Sequence, residues 1–420
     1  MGALCALCAL ALSTQVAGCG VPRSASAATS DAGGVTPVDD DAQSGGPQAR
    51  IEPSANNDTW PIEPGAMAVI SGTVYSAEQV DVYDVGPVFT GDHLHVEVTA
   101  DASLDAAIAV LDQGENVLVA NDDRSRSMGL IDPWADVRIL HDSEHLYVAV
   151  SASPAAPSAG AYTLEALLTE GAVDQPLKTQ RVYLNFDGAP DVVIGSRPPV
   201  DVPTFDASAI DTAYAGKDEE IIELLVSYVR EDYTGLNVDF RSSRNGPPPP
   251  EPYTSVHFGT YDAALLGVAE NIDEYNTLAS QEAIVFVDTF AAFAVLNPTA
   301  EEIAHALANV TSHEVGHLLG LYHTADVHGV MDITANLRQM LGDQYFARSP
   351  LHAEVFPIGY QDALRVLVDN IGGDLDQARS ATAAQRNTRA KWYDGGDGPP
   401  ARSKHVFGTC ACCLAGRAGD

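Results

Sequence analysis

Between Trp60 and Leu168 apolar and polar positions alternate with period two. The pattern is seen in Val80-Asp81-Val82-Tyr83-Asp84-Val85, His93-Leu94-His95-Val96-Glu97-Val98, Leu146-Tyr147-Val148-Ala149-Val150 and Ala161-Tyr162-Thr163-Leu164-Glu165, with Ile108-Ala109-Val110-Leu111 as an apolar run among them. Such alternation gives a strand one buried and one solvated face. With turn residues at short spacing and no helical stretch, it predicts an all-β antiparallel sandwich over 60–168.

Past 170 the alternation stops. A strand at Arg181-Val182-Tyr183-Leu184-Asn185-Phe186 opens a second region, followed by an amphipathic helix over 218–230 with Ile221, Ile222, Leu225, Val226 and Val229 on one side. Strands are expected at Leu236–Phe240, Thr254–Phe258 and Ala283–Val287, a helix beginning at Thr299 with Glu302 closing a capping box, and a last helix over 358–371 stopped by Gly372-Gly373. This α+β region spans 176–373. Each region has its own apolar pattern, so each is expected to fold alone, and a fragment from Gln175 should retain the chemistry described next.

That chemistry is concentrated in His313-Glu314-Val315-Gly316-His317-Leu318-Leu319-Gly320-Leu321-Tyr322-His323, followed by Met331. Two histidines four apart on a helix project from one face, so both imidazoles reach a single cation, with Glu314 beside them. Gly320 falls where the helix must end, and a left-handed glycine there turns the chain so that His323 supplies a third nitrogen. Three protein ligands leave the fourth position of a zinc ion open to water or a substrate carbonyl, which separates catalytic from structural zinc. His305 lies eight residues earlier and is read as a core-facing or surface histidine rather than a ligand, and Asp326 as a loop residue near the site, with substituting for or supporting a ligand as its alternative.

These eleven residues resemble the metzincin signature H-E-x-x-H-x-x-G-x-x-H at every fixed position, and Val330-Met331-Asp332 is similar to the Met-turn of that clan. The resemblance implies a zinc endopeptidase with His313, His317 and His323 on one catalytic zinc, Glu314 as general base, and Met331 as a structural floor. Thr324 is closest in type to the Ser that matrixins carry after the third His. Ile333 stands where astacins and serralysins place Tyr, so a matrixin-like or separate bacterial branch is implied. In 60–168, Asp81-Val82-Tyr83, Gly91-Asp92, Asn121-Asp122-Asp123, Leu146-Tyr147 and Gly160-Ala161-Tyr162 resemble the order of features in the bacterial pre-peptidase C-terminal domain, although that domain more often follows a protease. Asp101, Asp105, Asp112, Asp122 and Asp123 cluster at predicted loop ends, where they serve turns or hold structural calcium.

The rest of the chain sets a compartment. Residues 1–19 carry an apolar run, Ala3 to Leu12, with the shape of a secretory signal. Val16-Ala17-Gly18-Cys19 resembles a lipobox, implying lipidation of Cys19; no Lys or Arg precedes the run. A rival reading takes Cys19-Gly20-Val21-Pro22 as part of a latency switch like that of matrixins. Residues 20–59, rich in Ser, Ala, Gly, Pro and Asp, read as a flexible linker. Residues 374–420 read as a disordered tail, basic from Arg379 onward, with Cys410, Cys412 and Cys413. A net charge of -36 opposes nucleic acid and anionic membranes as partners of the body. Membrane attachment is expected only through an N-terminal lipid, on a monomer that is extracellular or anchored to a bacterial outer membrane. A protein or peptide is the expected substrate. The competing classes are a catalytically silent adhesion lipoprotein and a zinc hydrolase of a non-peptide substrate.

Overall fold

The alternating stretch forms eight strands: β1 (Met67–Val74), β2 (Val80–Val88), β3 (His93–Ala100), β4 (Ala106–Leu111), β5 (Val117–Asn121), β6 (Trp134–Arg138), β7 (Ser143–Ala152) and β8 (Gly160–Thr169). In the computed structural model, which describes residues 59–125, 128–171 and 179–393, these strands pair entirely antiparallel in two four-stranded sheets, ordered β1-β8-β3-β6 and β2-β7-β4-β5. Alternate residues of both sheets, among them Leu94, Val96, Ile108, Val148, Leu164 and Ala166, close into one buried core. The sequence pattern did not reveal β1, β5 and β6, of which β5 and β6 span only five residues each.

The second region begins with β9 (Gln180–Asn185), a hairpin of β10 (Ala189–Val192) and β11 (Val200–Val202), and α1 (Asp218–Asp232). It continues through β12 (Val238–Ser242), β13 (Thr254–Phe258), β14 (Gly267–Ala269), β15 (Glu282–Val285) and the long α2 (Ala300–Leu318). A five-stranded sheet runs β12-β9-β13-β15-β14; all its pairs are parallel except β14, the antiparallel edge strand. The apolar face of α1 packs into a core shared with α2 and the sheet through Ile221, Leu225, Val229, Ile303 and Leu307. After α2 come the single turn α3 (Leu337–Met340), the hairpin β16 (Arg348–Pro350) and β17 (Tyr360–Asp362), then α4 (Ala363–Ile371) and α5 (Leu375–Tyr393).

Two expectations need correction, and a contact between the regions adds to a third. The helix expected over 358–371 starts only at Ala363, because Gly359 at φ +98 and the extended β17 precede it, and Asp362 caps it by accepting from Arg365 N. The expected disordered tail contains α5, whose Gln385 Nε2 donates to the buried Asp232 at 2.9 Å, so its first turns are docked rather than free. The two regions, each expected to fold alone, share an apolar cluster on the outer face of sheet β2-β7-β4-β5. There Val82, Ala107, Ala109 and Leu111 meet Phe356 and Ile358 of the second region.

The signal-like segment 1–19 with Cys19, the linker except its last residue, and the cysteines after 393 lie outside the described residues. Among the described residues no helix is long and apolar enough to cross a membrane.

Candidate metal centre

The helix that carries the first two histidines begins as its sequence requires. Thr299 Oγ1 accepts from Glu302 N at 3.2 Å while the Glu302 carboxylate accepts from Thr299 N at 2.7 Å, which satisfies two of the donors a helix start leaves open. Helix α2 ends at Leu318, and Gly320, at φ +95, reverses the chain. No other residue suits Gly320, since a Cβ would also lie 2.7 Å from Asn370 Nδ2 and 3.1 Å from the Asp273 carbonyl. The reversal returns His323 to the helix face.

Three imidazoles converge there. His317 Nε2 lies 3.0 Å from His313 Nε2 and 3.1 Å from His323 Nε2, and the three residues form a group whose ligand atoms all lie within 4.8 Å. Donors on a tetrahedral zinc with bonds of 2.0–2.1 Å stand about 3.3 Å apart, so the spacing fits one ion. The opposite ring nitrogens settle the protonation. His313 Nδ1 faces the Val330 carbonyl at 2.8 Å, His317 Nδ1 the Leu321 carbonyl at 2.7 Å, and His323 Nδ1 the Glu354 carboxylate at 2.9 Å. Each Nδ1–H donates outward and leaves an Nε2 lone pair pointing inward. Burial pushes His313 down to about 4, and burial together with the neighbouring imidazoles holds His317 and His323 well below the ordinary histidine range. Three neutral nitrogen donors that converge without a proton between them could hold a metal ion.

Glu314 is buried beside them. Burial pushes its carboxyl well above the usual range, opposed by a backbone hydrogen bond from Ala269. Its space is provided by the edge strand, where a Cβ on Gly267 would fall 2.4 Å from Glu314 Oε1 and 2.8 Å from its Cγ. Met331 is buried, and a Cβ on Gly316 would fall 2.7 Å from its Sδ, so the thioether lies against the helix backbone between the first two histidines. Asp332 holds the turn by accepting from Thr334 N and Oγ1 and from Ala335 N. A cavity of about 80 Å³ opens next to His313 and Glu314, walled by Leu265 and Gly267 on one side and by Val330, Ile333 and Met340 on the other.

The remaining candidates fall elsewhere. The His305 ring stacks on Tyr228 with centroids 3.7 Å apart. Asp326 accepts from His328 N and Ser349 Oγ. Asp101 and Asp112 each close their own turn, on Ser103 and on Gly114 and Asn116, and are not gathered into a common site. Glu354, absent from the sequence reading, is the carboxylate that orients His323; an acid 31 residues beyond its histidine leaves no local signal.

No family model and no curated protein matches this chain. Among solved structures it is similar to archaemetzincin from Methanopyrus kandleri (17% identity, 41% of this chain and 92% of that one, TM-score 0.23). It is also similar to the pre-peptidase C-terminal domain of a Bacillus anthracis collagenase (13% identity, 26% and 95%, TM-score 0.20) and to a periplasmic inhibitor of g-type lysozyme from Aeromonas hydrophila (15% identity, 26% and 96%, TM-score 0.20). Likenesses this slight carry no functional weight.

Proposed function

We propose that this protein is a zinc metalloendopeptidase of the metzincin type, with an N-terminal β-sandwich of the pre-peptidase C-terminal kind, exported and tethered through Cys19. One observation carries the reading: three Nε2 lone pairs converge with their tautomers fixed, and a buried carboxylate stands beside them at the mouth of a cavity. His313, His317 and His323 would hold the zinc. When bound, zinc supplies Lewis-acid chemistry, polarising a carbonyl and making water more acidic.

The chain's own groups do the rest. Glu314 takes the proton of the attacking water and returns it to the leaving amine. Strand β14 is the last strand of its sheet, where an extended peptide would pair with its backbone and lay its scissile bond across Glu314. The mainly apolar cavity next to His313 accepts the side chain that follows that bond.

The test is digestion of casein and of a proteome-derived peptide library by the purified full-length chain. Cleavage abolished by a zinc chelator and restored by zinc is expected. A zinc-loaded protein that cleaves no peptide would move the assignment to the adhesion or non-peptide classes.

A further inference from the structure

His313 and His317 are held by a helix, but His323 stands five residues beyond the end of α2 on non-helical chain, so its position depends on what surrounds it. Those surroundings lead back to the N-terminal sheets. Tyr322 and Gln361 exchange two bonds, Tyr322 N to Gln361 Oε1 at 2.7 Å and Gln361 Nε2 to Tyr322 O at 2.9 Å. His352 N donates to the His323 carbonyl at 3.0 Å, and Glu354 receives its Nδ1–H. All three partners belong to the strap 348–362. The Tyr322 hydroxyl reaches further, accepting from Ala120 N of β5 at 3.0 Å and bonding Glu274.

The strap itself rests on the N-terminal sheet. Tyr360 N donates to the Glu115 carbonyl at 2.9 Å, and Arg348 reaches Asn116 Oδ1 at 2.8 Å and the Gly114 carbonyl at 2.6 Å, with its guanidinium 4.0 Å over the Tyr360 ring. Phe356 and Ile358 pack against Ala107, Ala109 and Leu111. The approach is close enough that a Cβ on Gly359 would fall 2.6 Å from Val117 Cγ2. Strand β5 lies at the edge of its sheet, and this contact occupies backbone groups that an edge strand would otherwise leave open.

We infer that the N-terminal β-module is a working part of the metal centre, with Tyr322 and Arg348 as positioning residues that set the third ligand, His323, through the strap. This rests on the reading that the histidine triad binds zinc. It replaces the expectation that a fragment from Gln175 retains the chemistry with one in which zinc affinity depends on contacts made by residues 114–120.

The test uses the full-length chain. Tyr322→Phe removes the hydroxyl alone, and Arg348→Ala loosens the strap at its far end; Val69→Ser, on an exposed position of the other sheet, is the control. Zinc affinity is read by competition with a chromogenic chelator, ligand geometry by the visible spectrum of the cobalt(II)-loaded protein, and folding by circular dichroism. Each of the two variants should remain folded, bind zinc about tenfold more weakly and show an altered cobalt spectrum, as outer-sphere changes do; Val69→Ser should match wild type. By reciprocity, zinc should slow amide exchange at Ala120 and Tyr360 in the wild-type chain. Folded variants with wild-type affinity and cobalt spectrum would overturn the inference. Should the variants fail to fold, exchange at Ala120 and Tyr360 that is indifferent to zinc overturns it instead. A wild-type chain that binds no zinc removes the metal reading, and this inference with it.

Discussion

Gly267→Ala isolates what the edge strand does for the proposed base. The added methyl would stand 2.4 Å from Glu314 Oε1, 2.8 Å from its Cγ and 2.8 Å from Val310 Cγ1, where ordinary contacts begin near 3.4 Å. Relief requires β14 or the Glu314 side chain to move by up to about 1 Å, and Glu314 cannot retreat far because it is enclosed on α2 and tied to Ala269 of the same strand. Overpacking of this size costs about 1–3 kcal/mol of stability. The larger effect is on rate, since misplacing a reacting group by about 1 Å costs about 100-fold. The atoms nearest the added methyl belong to Glu314 and Val310 and not to the three histidines, so metal content should stay at one per chain. Peptide hydrolysis by purified wild-type and variant protein, each with measured zinc content and melting temperature, provides the comparison. A folded, zinc-loaded Gly267→Ala protein with wild-type kcat/KM would refute the placement of Glu314 against the strand.

Two further outcomes follow from the ligands. Glu354→Gln should weaken zinc binding about tenfold, and Glu354→Ala up to about 100-fold, in chelator competition, because the carboxylate that orients His323 is lost; unchanged affinity would show that the loop sets the ring alone. A histidine whose folded pKa lies below its unfolded value contributes stability above pH 6.5 that is lost as pH falls toward the folded value, since only the unfolded chain takes the proton. For His313, with 6.5 lowered to about 4, this amounts to about 2 kcal/mol between pH 7 and pH 5 in metal-free protein, read by denaturant titration and absent in His313→Gln.

The signature residues were legible because their geometry is local. Four residues of helix fix His313 against His317, and a glycine that must turn the chain fixes His323 three residues later. The capping box at Thr299 and the apolar face of α1 were readable for the same reason. Glu354 was not, because its partner comes from a strap whose course is set by tertiary packing. Strand β14 has three residues and no period to detect, although the Gly267 that makes room for Glu314 lies in it.

The contact between the two regions did have a signal in the sequence. Ala106-Ala107-Ile108-Ala109-Val110-Leu111 is apolar at every position, whereas a sheet with one solvated face alternates; all six residues of β4 are buried. The small side chains of Ala107 and Ala109 leave room on the outer face for the incoming strap. Helix α5 escaped notice because its sequence is polar and carries no broad apolar stripe; its docking combines Ala378 and Leu375 at the core with a polar bond from Gln385 to Asp232.

The central claim is that His313, His317 and His323 hold one zinc while Glu314 handles the proton. Its most direct test is Glu314→Gln in the full-length chain, with zinc counted by elemental analysis and hydrolysis of a single peptide followed in the same preparation. One zinc per chain with hydrolysis abolished is the predicted result, since the substitution removes the base and leaves every ligand. Substantial turnover at full zinc content would contradict the role of Glu314, and a folded protein without zinc would contradict the metal centre itself.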